Sequence, residues 1–337
     1  MRPAHRVTTM GIVAAIVCLL WAACFAGAAV ASVDYLSASF VDRHYGWIAG
    51  IDNESGRTQV WTTRNGGVRW KRVGSSIAAG AGVGWVSFVS RTTGVWGNGS
   101  LLRTSDGGRS WMSASIEGLG ILNEACFADE LVGWAGCSFG TSESGGAIAA
   151  TTDGGVTWKS QKNLPGDDGS GGVSDVSSPS VDRCYALKWG VGEGVWTTSD
   201  GGGEWTLRPL SHISGGAYTS YRDIDFPGEE TGWAVGDAGT ILKTDDGGET
   251  WKAQESGVSA TLYAVDFVDT TTGFAVGKAG RILRTRDGGL SWVKLDSGTQ
   301  KRLSAVCFVN ASRGWVVGKS GVRLRTADGG LTWRGQL

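Results

Sequence analysis

Short apolar runs recur along the chain in a fixed order, separated by turn-forming polar residues. In one clear copy, Tyr263-Ala264-Val265-Asp266-Phe267 predicts a first strand and Gly273-Phe274-Ala275-Val276-Gly277 a second. Ile282-Leu283-Arg284-Thr285 predicts a third strand and Ser291-Trp292-Val293-Lys294 a fourth. The next copy repeats the order from Ala305-Val306-Cys307-Phe308 through Gly314-Trp315-Val316-Val317-Gly318 to Trp333. Upstream, Phe40, Phe88, Phe127 and Phe226 occupy the first-strand Phe position. Trp47, Val95, Trp134 and Trp233 occupy the apolar position after the second-strand Gly. The fourth copy departs, with Ser178 for Phe and Cys184-Tyr185 for Gly-Trp. No long amphipathic helix is predicted after Ser32.

Between the third and fourth strands stands an eight-residue motif, as in Thr285-Arg286-Asp287-Gly288-Gly289-Leu290-Ser291-Trp292. It occurs at Thr63–Trp70, Thr104–Trp111, Thr151–Trp158, Thr198–Trp205, Thr244–Trp251, Thr285–Trp292 and Thr326–Trp333. Asp followed by Gly-Gly is a tight turn, because the carboxylate accepts nearby backbone N–H groups and Gly tolerates positive φ. Asp106, Asp153, Asp200, Asp246, Asp287 and Asp328 are therefore read as structural. The first copy carries Asn65 for Asp and Arg69 for Ser or Thr. Trp70, Trp111, Trp158, Trp205, Trp251, Trp292 and Trp333 leave these turns as apolar anchors, each contributing about 2 to 3 kcal/mol when buried.

The Trp markers are 41, 47, 47, 46, 41 and 41 residues apart, a period that suits a four-stranded propeller blade. The expected fold is all-β, one seven-bladed β-propeller of four-stranded antiparallel blades spanning residues 32–337. The repeats are similar to those of the Asp-box, or BNR-repeat, propellers. The order Phe, Gly-Trp-Ala-Val-Gly, Ile-Leu-Arg/Lys-Thr and Asp-Gly-Gly more closely resembles the photosystem II assembly and stability factor family. That resemblance implies a seven-bladed, non-enzymatic assembly chaperone with a protein or membrane-protein partner and an arginine-rich surface.

Spacing adds a sidedness. The first-strand Phe and the following Gly are six residues apart in the regular copies, as in Phe40 to Gly46, and every motif has one length. Those two kinds of turn share one face. Length variation falls on the other face, around Asp52 to Arg57, Ser138 to Gly146, Pro165 to Gly172 and Ser211 to Tyr221. Loops on a rigid scaffold are where binding concentrates, although they also tolerate insertion for no functional reason. On this loop face Lys278, Arg281, Lys301, Arg302, Lys319 and Arg323 form a candidate partner-binding sector, expected to point to solvent with Asp296 the nearby acid. Elsewhere on it acids such as Asp52, Glu54, Glu143, Asp167, Asp168, Glu193 and Asp237 predominate. Such a split can orient a protein partner.

Met1 to Ala31 differs from the rest. Arg2 and Arg6 precede an apolar run that ends Ala29-Val30-Ala31, the signature of a cleaved signal peptide, with an uncleaved membrane anchor as the alternative. The expected location is extracytoplasmic, secreted or tethered. Removing the segment takes the formal charge from -1 to -3, so the basic footprint of a nucleic-acid binder is missing. Cys126, Cys137, Cys184 and Cys307 would remain, without Cys-x-x-Cys and with His44 and His212 as the histidines, a poor supply for a metal site. Cys126 and Cys137, on adjacent predicted strands, are a candidate disulfide; Cys184 and Cys307 are expected to be free.

No cofactor motif stands out. Gly190-Val191-Gly192 and Gly80-Ala81-Gly82 open no helix, and Gly136-Cys137-Ser138-Phe139-Gly140 lies in a hairpin rather than at a strand-to-helix elbow. Asp52-Asn53-Glu54-Ser55-Gly56 lacks the distal acid of a calcium loop. Sialidase-like propellers carry Arg-Ile-Pro, which is not found here, and the pairs Asp167-Asp168 and Glu229-Glu230 read as turn acids. The sequence thus predicts a monomeric binding protein without catalytic residues. The alternative is a glycan-binding or glycosidase propeller, which exposed aromatics such as Tyr218 and Tyr221 would favour.

Overall fold

The Gly-flanked apolar segments form the second strands, and Gly232–Gly236 and Gly273–Gly277 are buried at every residue. The computed structural model describes residues 33–336 apart from 79–83, 98–99, 118–119, 139–144, 165–170, 191 and 211–219. Met1 to Ala31, and with it the expected signal peptide, lies outside the described residues, as do Glu143, Asp167, Asp168, His212 and Tyr218. Val33–Leu337 is one compact unit.

Among the described residues the strands assemble into seven antiparallel sheets, each ordered first to fourth strand. Blade one is Val33–Phe40, Gly46–Asp52, Arg57–Thr63 and Lys71–Ala78. Blade six is Leu262–Phe267, Gly273–Gly277, Ile282–Thr285 and Val293–Leu295, so its fourth strand begins after Trp292 rather than before it. The third sheet gains a fifth member, because Ser115–Glu117 pairs in parallel with its outer strand. In blades five, six and seven the second-to-third turn is a single 3-10 turn at Asp237–Gly239, Lys278–Gly280 and Lys319–Gly321. Its central residue is Ala238, Ala279 or Ser320, held at positive φ without a glycine.

The apolar core lies between blades. One cluster packs Phe274 and Val276 of blade six against Val306 and Phe308 of blade seven, and equivalent clusters fill the other junctions. The matched Phe and Trp positions meet across these junctions. Trp47 stacks on Phe88 at 3.6 Å, Tyr185 on Phe226 at 3.5 Å and Trp233 on Phe267 at 3.4 Å. Each Phe also meets the motif Trp of its own blade edge-on, as Phe308 meets Trp333 at 6.1 Å.

Closure uses the same device. Phe40 stacks on Trp315, and the Trp315 indole N–H donates to the Gly66 carbonyl at 3.0 Å. Ser320 N–H donates to Asp34 at 2.9 Å, so blade seven also grips the first strand of blade one. Among the described residues no strand is exchanged between the two blades, whose strands are consecutive in each case.

Cys126 and Cys137 are not bonded to each other: all four described cysteines are free. The ladder explains this correction. Cys126 stands opposite Trp134 and Cys137 opposite Leu122, at the two ends of the hairpin, with a register shift between Leu122 and Glu124.

Candidate partner-binding face

Each motif closes on its own side chains. In blade five, Thr244 Oγ1 donates to Asp246 Oδ1 at 2.7 Å and accepts the Gly248 N–H at 2.9 Å. Thr250 donates its N–H and hydroxyl to the same carboxylate at 2.9 and 2.6 Å. The Ser110 hydroxyl and N–H hold Asp106 down to about 2, and those of Thr332 do the same for Asp328. These aspartates are occupied in the turn and hold no reserve for chemistry. Asn65 replaces the carboxylate in the first motif and still accepts from Thr63 and Arg69.

The first Gly of each motif donates its N–H to the first-to-second turn, as Gly66 does to His44 and Gly329 to Ser312. The motif turns and the first-to-second turns therefore form one surface, as the spacing predicts. The second-to-third turns and the blade connections form the other.

On that loop face the six predicted basic residues follow three blade junctions rather than one pocket. Lys278 and Arg281 line a groove with Lys294 between blades five and six. Arg302 lies 3.7 Å over the Tyr263 ring, and Lys301 reaches the Ser320 carbonyl at 3.2 Å. Lys319 pairs with Asp34 at 3.6 Å, and the Arg323 guanidinium lies 5.3 Å from the Tyr35 ring. Two expectations are corrected here. Arg281, Arg302 and Arg323 are half-buried against their neighbours, not free in solvent, and Asp34 is a second acid in the sector. Asp237 on the acidic side is bridged to Arg222 at 2.9 Å.

The inner strands enclose features that the sequence reading missed. A vestibule of about 720 Å³ opens on the loop face, lined by Leu36, Asn123, Trp189, Arg222 and Arg302 among others. It continues into a central channel of about 480 Å³ that holds Glu124, Asp175, Asp223, Asp225 and Asp266. Four of these acids bridge inner strands that share no backbone ladder. Asp175 accepts the Ile224 N–H at 2.8 Å, Asp223 the Val265 N–H at 2.6 Å and Asp225 the Phe267 N–H at 2.6 Å. Ser39 and Ser177 do the same for Phe88 and Phe226. Burial raises Asp225 to about 7; burial and then Asp175 raise Asp223, and burial and then Asp225 raise Asp266. The signal in the sequence was position. Each acid stands one or three residues before the first-strand Phe, or its counterpart Ser178, on a strand whose other side is apolar.

The seven sheets of one repeated motif, with stacked rings at five of the junctions between described blades, decide what the chain is. It is a BNR-repeat propeller resembling photosystem II assembly factors. The family model described as photosynthesis system II assembly factor YCF48 matches residues 170–255 and 250–336. The photosystem II assembly protein YCF48 of Synechococcus sp. (strain JA-3-3Ab) is 26% identical over 171 residues. That match takes in 50% of this chain and 47% of the relative, so the chain spans about half the length of the curated relatives it matches. Two solved structures share the fold at 20% identity. One, described as YCF48 bound to D1 peptide, has a TM-score of 0.69 and covers 88% of this chain and 94% of its own. The other, YCF48 from Cyanidioschyzon merolae, has a TM-score of 0.68 with 88% and 96% covered.

Among the described residues of this assembly-factor-like propeller, no His, Cys, Asp and Glu group is arranged to hold a metal ion. Asp52 caps its own turn through the Glu54 and Ser55 N–H groups, and Glu229 and Glu230 are bridged to Arg183. Tyr221 is buried between blades four and five, where it also lines the vestibule.

Proposed function

We propose that this chain is a non-catalytic binding propeller that receives a segment of a membrane-protein complex on its loop face, outside the cytoplasm. The observation that carries the reading is the likeness of its repeats to photosystem II assembly factors, one of which is solved with a D1 peptide. Lys278, Arg281, Lys301, Arg302, Lys319 and Arg323 supply the positive field that steers the partner. The motif aspartates are spent on turns and serve the scaffold. The propeller acts as a monomer with no cofactor.

The test is affinity capture from envelope extracts, followed by binding kinetics with the retained protein. Replacing Arg281, Lys301 and Arg302 by Glu should slow association and reduce its dependence on salt. Normal association of the folded triple variant at low salt would overturn the assignment of this face.

A further inference from the structure

The motif face, opposite the proposed partner surface, is divided by charge. On blades six, seven and one it exposes Arg43, Arg64, Arg69, Arg286, Arg313 and Arg334, none of them in an ion pair among the described residues; the acids there are Asp42, paired with Arg91, and Asp269, Asp287 and Asp328, each bonded within its own turn. On blades four and five the same face carries Glu204, Glu229, Glu230, Asp245 and Glu249. Much of that acidity is already met, since Arg183 bridges Glu229 and Glu230, Arg208 holds Glu249 and Lys243 holds Asp245.

A second pattern falls on the basic sector. The residue after Gly-Gly crowns each motif turn, and in blades six, seven and one it is Leu290, Leu331 and Val68. They are 84%, 63% and 56% exposed. In blades two, four and five the same crest is Arg109, Gly203 and Glu249, and in blade three it is Val156, 47% exposed and outside the basic sector. One exposed leucine needs no explanation, but three aliphatic crests in consecutive blades, set among unpaired arginines, form a surface. The crests are also held in place. Arg284 of blade six donates to the Gly329 carbonyl of the next motif at 2.8 Å, and Trp315 ties blade seven to Gly66.

We propose that this sector of the motif face docks on an anionic lipid surface, with Leu290, Leu331 and Val68 entering the headgroup layer and the arginines meeting lipid phosphates. Apolar insertion and electrostatic attraction are the two components of peripheral membrane binding, and each is weak alone. Guanidinium groups match phosphate geometry in particular. A groove for an acidic peptide would shelter its apolar residues, whereas these stand on ridges. Membrane contact here leaves the loop face directed away from the bilayer and free for a partner.

The test uses Val33–Leu337, which contains all seven blades and the contacts that close the ring; a single cooperative melt verifies its folding. Sedimentation with phosphatidylcholine vesicles, with and without phosphatidylglycerol, should show binding to the anionic vesicles and loss of it at high salt. Changing Leu290, Leu331 and Val68 together to Ser should weaken binding about tenfold or more without lowering Tm, because the side chains are exposed. Arg64→Glu, Arg286→Glu and Arg313→Glu together should abolish it, and Lys301→Glu on the opposite face should leave it intact. Failure of the folded protein to bind anionic vesicles overturns the proposal. So does a serine variant that binds like the parent while polyglutamate displaces both, the outcome expected of an acidic-peptide surface.

Discussion

The carboxyl group of Asp266 accepts the backbone N–H of Phe308 at 2.6 Å, joining the inner strands of two blades that share no ladder. Asp223 and Asp225 make the same reach one junction earlier. The wall of the channel is thus stitched by side chains, and the stitches are acids crowded around shared space. A neutral carboxyl group accepts an N–H through its carbonyl oxygen as a carboxylate does, so protonation keeps the stitch and removes the repulsion.

Stability should therefore fall as pH rises through neutrality. Asp225 is raised to about 7, and Glu124, Asp223 and Asp266 also lie above the usual carboxylate range. A folded-state value above the unfolded one gives stability that is complete below the unfolded value and is lost as pH rises through the folded one. Thermal melts between about pH 5 and about pH 8 should show Tm declining, and Asp223→Asn should flatten that decline. A Tm that rises over this range would show that the channel acids are held as stabilised anions.

The junction between blades seven and one should be as sensitive as any other. Trp315→Ala removes a buried ring stacked on Phe40, 3.7 Å between centroids, and should cost about 3 to 5 kcal/mol by urea unfolding. Trp315→Phe should cost much less, because Phe274 on Phe308 at 3.5 Å is already that pair in blade seven's other junction. Its remaining cost is the lost hydrogen bond to Gly66, about 1 kcal/mol.

Asp106→Ala should destabilise by about 1 kcal/mol, at the low end for such bonds because water can replace the carboxylate at this exposed turn. Its carboxyl is held down to about 2, so its contribution persists above the ordinary carboxylate value and disappears only as pH falls through about 2. Partner binding by the folded variant should be unchanged.

Cys126, Cys137, Cys184 and Cys307 should all be alkylated by iodoacetamide after unfolding without reductant, and reductant should not change Tm. Burial pushes Cys137 up to about 12 and raises Cys126, Cys184 and Cys307 as well, so labelling of the native protein should be slow. A mapped peptide joining Cys126 to Cys137 would contradict the register.

Arg302→Glu and Lys301→Glu, neighbours in sequence, should differ in stability. Arg302 lies over Tyr263 and loses a cation–π contact worth about 1 kcal/mol, whereas exposed Lys301 should leave Tm almost unmoved. Both should slow association with the captured partner.

The period, the strand order and the two faces were legible because each repeat spells them with the same residues. The six-residue step from Phe308 to Gly314 reports a turn, and the residue after that Gly, Trp315, meets the Phe of the next blade. Even the degenerate fourth copy keeps the rule, since Tyr185 takes the Trp place on Phe226. The channel acids were not legible. Alternation marks which side of a first strand faces the blade core, but Asp225 looks the same in sequence whether its other side meets bulk water or an enclosed channel. The half-burial of Arg281 and Arg302 was hidden for a related reason, because Tyr263 and the turn around Ala279 come from elements whose approach only the assembled ring defines. Nor does local sequence announce Ala279 at positive φ, a place where glycine is the usual choice.

Because blades one and seven keep their strands to themselves, the position of the chain ends is not built into the ring. The step from Gln336 back to Val33 would be one more passage from an outer strand to the next inner strand, of the kind that Leu295 to Leu303 already makes. A circularly permuted chain, with those ends linked and a new opening between blades six and seven, should therefore close into the same propeller.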